Sequence, residues 1–224
     1  MKKLFAAAMV IFAVSLSACG RVEDKAGGAL IKKAREEYTS LNSAKVVMTD
    51  LSTGEEAQSF TFKYDEKDTL VYAYYGKSAN SEYAQYNNGL ECFTYENGEV
   101  SHMSKGDAEF VRYTRKLPHP QADAGLLIYS PENITDAKEE TVSGGIKVTH
   151  IYDAQKIGAQ VEEGNVTGFR AEYMFDNDGV LEYFDEITDS ENNGRQETYA
   201  YRVEITQQNS VDTVENTVKR FMDK

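Results

Sequence analysis

The sequence predicts an α+β fold built on one antiparallel sheet of about ten strands, with a few helices. Three observations carry this. From Ala44 to Thr206 apolar and polar residues alternate over most segments, the period of half-buried strands. Tight-turn signals such as Asn97-Gly98 and Asp176-Asn177-Asp178-Gly179 separate those segments, and strands joined so closely must be antiparallel neighbours. Near both ends of the mature chain the apolar spacing changes to three and four, as on one face of a helix.

The elements follow in order. Leu30, Ile31, Ala34, Tyr38 and Leu41 share one face of a predicted helix over 24–41, with Lys32, Lys33, Arg35 and Glu36 opposite. Strands begin after Ala44. In Gln58 to Tyr64, Phe60, Phe62 and Tyr64 fall on one side, and in Leu70 to Tyr75, Leu70, Tyr72 and Tyr74 do. Ser81–Asn87, Leu90–Tyr95, Glu99–Met103 and Glu109–Thr114 extend this first meander to about residue 115. Leu117-Pro118-His119-Pro120 interrupts it. Gln121–Asn133 suits a short helix with Leu126, Leu127 and Ile128 as its apolar face. A second meander takes in Thr135–Val142, Gly145–Asp153, Val166–Phe175, Val180–Asp189 and Gln196–Thr206, with a helical turn at Ala154–Ala159. Val211, Val214, Val218 and Phe221 recur at helical spacing, and the segment reads as a last helix over 210–222 capped by Ser210.

Composition narrows the function. The chain has 224 residues, a net charge of −13, 15 Tyr, 10 Phe and no Trp. Aromatic content of 11% argues against disorder. A mean hydropathy of −0.56 argues against a polytopic membrane protein. An acidic surface repels phosphate, so no nucleic-acid partner is expected.

The N-terminus sets the compartment. Lys2 and Lys3 precede Leu4–Leu16, a run that is apolar but for Ser15. A span needs about 20 apolar residues, so this run is too short and fits a secretory signal. Leu16-Ser17-Ala18-Cys19 then resembles a bacterial lipobox. That resemblance implies cleavage before Cys19, diacylglycerol on its sulfur and usually a further acyl chain such as palmitate on its new amine. Residues 1–18 are read as signal peptide, 19–28 as lipidated tether and 29–224 as one domain. Each buried CH₂ contributes about 0.8 kcal/mol, so several chains anchor stably. The implied location is the cell envelope on the extracytoplasmic side. Gly20 in place of Asp points to the outer membrane in a two-membrane cell. In a one-membrane cell the same anchor means the outer face of the plasma membrane. With Cys19 acylated, Cys92 is the remaining thiol, in a strand-like run where it reads as a small buried hydrophobe.

Motifs for chemistry are scarce. His102, His119 and His150 have no partner at metal-ligand spacing, and no G-x-S-x-G, C-x-x-C, Walker loop or G-x-G-x-x-G occurs. His150 falls on an apolar strand face and reads as a hydrogen-bonded core residue. Asp176–Gly179 resembles the middle of a calcium loop, but the first ligand position would be Met174. It is read as a polar hairpin turn. The expectation is a chain without cofactor, metal site or enzymatic activity.

Aromatic excess is left over. Phe60/Phe62/Tyr64, Tyr72/Tyr74 and Tyr173/Phe175 line one face of their strands, while Tyr75, Tyr86, Phe93, Tyr95 and Phe184 are assigned to the other. Two readings stand side by side. Helices cover one face as an ordinary filled core, with Tyr decorating the other. Alternatively, a strongly curved sheet encloses an apolar cavity suited to acyl chains.

In element order, the chain resembles the LolA-like fold of lipoprotein carriers and the related lipid-carrying lipoproteins of actinobacteria. The match runs from the helix at 24–41 through the meander at 44–115 and the insert at 120–133 to the meander at 136–207. The hairpin Phe175-Asp176-Asn177-Asp178-Gly179-Val180-Leu181-Glu182 is similar to one in that family. The resemblance implies a half-barrel: a single strongly curved antiparallel sheet with helices packed on its concave face. It also implies a lipid or other apolar ligand held by Phe60, Phe62, Tyr72, Tyr74, Leu126, Ile128, Tyr173 and Phe175. The carriers' Arg at the cavity mouth has no matching position here, and the last helix is a departure. The alternative function is a cell-surface interaction or sensor lipoprotein with an envelope protein partner and no lipid cargo.

Overall fold

The structure is a computed structural model that describes residues 22–66, 69–78, 81–108, 110, 131–159, 161 and 164–222. The predicted signal peptide, Cys19, the helix face of Leu126 to Ile128 and most of the expected strand at 109–114 lie outside the described residues.

A short 3-10 turn at Val22–Asp24 leads into α1, Gly28–Thr39. Six strands follow: β1 Ser43–Asp50, β2 Glu56–Tyr64, β3 Leu70–Lys77, β4 Glu82–Asn87, β5 Glu91–Glu96 and β6 Glu99–Ser104. Each pairs antiparallel with the next. After a 3-10 turn at Pro131–Asn133 come β7 Ile134–Val142, β8 Gly145–Tyr152, β9 Asn165–Phe175, β10 Leu181–Asn192 and β11 Arg195–Thr206, a second antiparallel meander. All belong to one open 11-stranded sheet in the order β6-β5-β4-β3-β2-β1-β11-β10-β9-β8-β7. The predicted antiparallel sheet with few helices is therefore what forms.

The turn chemistry works as the sequence indicates. Asn97 and Gly98 have φ of 48° and 100°, the positive values a two-residue hairpin requires. In the β9–β10 turn, Asp176 Oδ1 accepts the backbone N–H groups of Asp178 and Val180 at 2.9 and 2.8 Å. That carboxylate oxygen closes the turn. Among the described residues, no group of three His, Cys, Asp or Glu is arranged to hold a metal ion.

The residues group into two compact units. Unit 1 comprises residues up to Ser40, Asp50–Gly54 and His119–Glu204. Here Ile31, Ala34 and Tyr38 of α1 are buried, as its spacing predicts. The start of α1 sits on β8: a Cβ on Gly27 would meet the Val148 side chain at 2.2 Å. One face of β8–β10 carries Val148, His150, Phe169, Ala171, Tyr173, Phe175 and Phe184, all buried. Phe184 pairs with Tyr173 and stacks on it at 5.6 Å. It therefore shares the Tyr173 face, which corrects its assignment to the opposite one. The cause is a register irregularity between Leu181 and Tyr183, which changes the pairing parity just after the hairpin.

The other face of β8–β11 is polar. Arg170 binds Asp189 at 2.9 Å and Glu172 at 3.2 Å, and Lys147 binds Glu172 at 2.6 Å. Arg202 makes a two-pronged pair with Asp185 at 2.8 and 2.9 Å and lies over the Tyr183 ring. This is the usual division of an antiparallel sheet into a core face and a wet face.

Unit 2 comprises Leu41–Thr49, Glu55–Pro118 and Ile205–Lys224. Here both sheet faces carry aromatic side chains. The chain after β11 covers the face of Ala73, Tyr75, Tyr86 and Tyr95. Val211 and Val214 pack against Ala73, Val71 and Tyr86. Thr217 Oγ1 donates toward the backbone oxygens of Tyr74 and Gln85 at 3.2 and 3.3 Å. Phe221 stacks on Tyr95 at 3.7 Å, and Arg220 lies over Tyr75 at 4.1 Å. The helix expected over 210–222 is not formed: only Lys219–Met222 is helical. Three of the periodic residues are valines, whose branched Cβ disfavours helix, and the Asn216 side chain accepts the Val218 N–H at 2.9 Å, a local bond that competes with helix. Nor does Ser210 cap a helix; its own N–H donates to the Gln207 carbonyl.

Candidate functional site

The candidate site is the other face of unit 2, and strand register builds it row by row. Ala44 pairs with Phe62, Phe62 with Tyr72, Tyr72 with Asn87, Asn87 with Cys92 and Cys92 with Met103. One step along, Val46, Phe60, Tyr74, Gln85 and Thr94 form a second row. Alternation places these side chains on one side of the sheet. Phe60, Phe62, Tyr72 and Tyr74 are exposed by 7% or less. The Phe60 and Phe62 rings stack at 5.7 Å, and Phe60 lies 5.9 Å from Tyr72. These separations are those of favourable aromatic pairs.

The four sequence-predicted residues of unit 2 are thus brought together on β2 and β3. Tyr173 and Phe175 lie in unit 1 on β9 and are likewise buried. Leu126 and Ile128 lie outside the described residues.

The phenols stay neutral. Burial pushes Tyr64 up to about 12 and raises Tyr72 and Tyr74 further. Burial likewise raises the Cys92 thiol, against the opposing pull of Gln85 and Asn87. A buried thiol kept protonated is a poor nucleophile, which agrees with its reading as a core residue.

The sequence reading missed a polar strip across this face. Gln85 is buried, and its Nε2 donates to the Tyr72 hydroxyl at 2.8 Å and faces Cys92 Sγ at 3.4 Å. The Tyr83 hydroxyl donates to Gln85 Oε1 at 2.6 Å. Asn87 and Thr94 are buried beside it. The available signal was parity: Tyr83, Gln85 and Asn87 alternate with Ala84 and Tyr86, so whichever face holds Gln85 also holds Asn87.

His150 in unit 1 is a satisfied core residue, as its strand position predicts. Its Nε2 donates to the Ala26 carbonyl at 2.8 Å. Burial lowers its pKa below 6.5, partly countered by that bond, and Lys25 adds to the lowering. A folded pKa below the unfolded one means that the unfolded chain binds the extra proton first. The contribution is therefore fully present above about pH 6.5 and is lost as pH falls below it. Urea titrations between about pH 7 and pH 5 are expected to show stability declining on acidification, with a shallower decline in His150→Gln. An equal slope in both proteins would remove His150 as the cause.

Among the described residues no helix is long and apolar enough to cross a membrane. No protein-family model matches the chain. No curated protein matches it by sequence. Among solved structures, the crystal structure of LprF from Mycobacterium bovis is similar, at 12% identity and a TM-score of 0.46, over 84% of this chain and 95% of that one.

Proposed function

We propose that the chain is a lipid-anchored protein of the cell envelope that binds a lipid or other apolar ligand on its aromatic sheet face and catalyses no reaction. One observation carries this reading. Phe60, Phe62, Tyr72 and Tyr74 form a contiguous aromatic surface on neighbouring strands, and Lys63 of β2 and Lys77 of β3 fall on the opposite face. The opposite face of β3–β5 already has its own cover in Val211, Val214 and Phe221. Sites for greasy ligands are lined in this way, by aromatic side chains with a few placed polar groups. Because the four rings are buried, a ligand reaches them only when neighbouring side chains move.

Native mass spectrometry after gentle detergent extraction tests the ligand. The expected spectrum contains a species heavier than the acylated chain, which releases a lipid on activation. A single species carrying only covalent acyl groups would contradict the reading. If cross-linking in cells returned one protein partner and no lipid, the function would become that of an interaction or sensor lipoprotein.

The anchor is tested separately. Acyl chains, and not charge, would hold this acidic protein at the membrane. Cys19→Ser removes the sulfur that carries the diacylglycerol. Cells fed an alkyne-tagged palmitate are expected to label the parent protein and to leave Cys19→Ser unlabelled. Label on the variant would place the modification elsewhere.

A further inference from the structure

In unit 1 the segment that leads from the expected anchor into the domain is clamped on β8. The Ala26 carbonyl accepts the His150 Nε2–H at 2.8 Å. Gly27 has a φ of 67° and lies so close to Val148 that a Cβ would overlap its side chain, so glycine is required there. Lys25 Nζ reaches the Ile134 carbonyl at 3.4 Å. α1 starts from this clamp: the Gly28 N–H donates to the Lys25 carbonyl, and the Leu30 and Ile31 N–H groups donate to that of Gly27. Of the side chains in these contacts, His150 is the one whose type changes charge near neutral pH.

His150 is 1% exposed, and the Tyr152 and Tyr173 rings meet it edgewise at 6.3 and 5.9 Å. With Nε2–H already donating, an added proton goes to Nδ1 and makes the ring a buried cation. Lys25 and the positive end of α1 stand on the segment side and oppose that charge. On the sheet side, Glu139 of β7 and Glu186 of β10 share the His150 face. Register places Glu139 diagonal to His150 and Glu186 beyond Ala171, so neither is its direct cross-strand neighbour. Once residues 25–28 leave β8, the ring meets water and protonates as an ordinary histidine does. The open form therefore binds the proton more tightly than the closed one, and acid favours it. We propose that His150 is an acid-sensitive latch, which holds residues 25–28 on β8 at neutral pH and releases them on mild acidification. Release adds those residues to the free tether, about 13 Å when extended, so a domain anchored through Cys19 gains reach in acidic surroundings. The latch concerns the link to the anchor and is independent of the ligand.

Hydrogen exchange read by peptide mass spectrometry tests the latch on the full chain, as cells produce it, in detergent micelles. Exchange is followed between about pH 7.5 and pH 5.5, with times scaled for the intrinsic pH dependence of amide exchange. In the parent, protection of the Gly28, Leu30 and Ile31 amides is expected to fall about tenfold over this range, while a peptide over 169–175 in β9 stays unexchanged on that timescale. His150→Gln can donate to the same carbonyl and does not titrate, so its protection at these amides is expected to stay constant. Constant protection in the parent overturns the proposal and needs no variant to fold. An equal fall in His150→Gln also overturns it, because the acid-sensitive group then lies elsewhere. Exchange of 25–31 and 169–175 together overturns it as well, since the sheet then opens as a whole.

Discussion

Phe62→Ala is expected to lower the unfolding free energy by about 3–5 kcal/mol, read as a fall in the urea midpoint at unchanged slope. Phe62 lies in the middle of β2, paired with Ala44 on one side and Tyr72 on the other, and its side chain is fully buried. Its ring stacks on Phe60 and meets the edge of Tyr64 at 6.3 Å. Truncation removes the transfer free energy of the ring and leaves a hole that rigid aromatic neighbours collapse into poorly. Phe62→Leu keeps most of the volume and is expected to lose about 1.5 kcal/mol or less. Equal losses in the two variants would show that the ring is not held as the structure places it. The alanine variant has a second expected property. Apolar cavities stay dry and bind small hydrocarbons, so it should take up benzene where the parent does not.

Gly145→Ala is the other severe change, expected to cost about 3 kcal/mol or more by overpacking. Gly145 opens β8, and a Cβ there would lie 1.9 Å from the Phe175 carbonyl oxygen and 2.9 Å from its carbonyl carbon. Both are backbone atoms of the neighbouring strand, so no rotamer change relieves the clash. The β8–β9 register must open instead, beginning at the Ile146–Phe175 pair. Gly144→Ala is the control. It has φ of 101° and nothing within 4 Å of the added carbon, so it carries backbone strain alone, about 1–2 kcal/mol. Thermal unfolding of the two variants separates the effects. A loss at Gly144 as large as that at Gly145 would contradict the close approach of β9 to β8.

The strands were legible because burial of one face imposes period two directly on the residues, as in Phe60, Phe62 and Tyr64. The turns were legible for a different reason: Asn97-Gly98 and Asp176–Gly179 supply the positive φ and the side-chain acceptor that a reversal needs. The last segment was misread because spacing does not determine conformation. Val211, Val214 and Val218 recur as helix residues would, but they are buried by a chain that is mostly irregular, held to β3 and β4 through Thr217. Phe184 was misplaced because a register irregularity beside a hairpin leaves no mark in the alternation pattern. In the site, the aromatic rows could be read from the sequence. The polar strip was missed although its parity was there to read, because Asn87 also serves the turn at Asn88-Gly89 and that role masks its burial. A second contrast lies in the faces opposite the aromatics: in unit 1 that face carries ion pairs, whereas in unit 2 it carries further aromatic rings.

Photolabelling tests the central claim most directly. A diacylglycerol carrying a diazirine in its acyl chain would be bound to the mature protein, irradiated, and the adducts mapped by peptide mass spectrometry. The account predicts adducts concentrated on 56–77, at Phe60, Phe62, Tyr72 or Tyr74, with β7 at 134–142, whose side chains are largely polar and exposed, unlabelled. Adducts spread evenly over the surface, or none on β2 and β3, would contradict it.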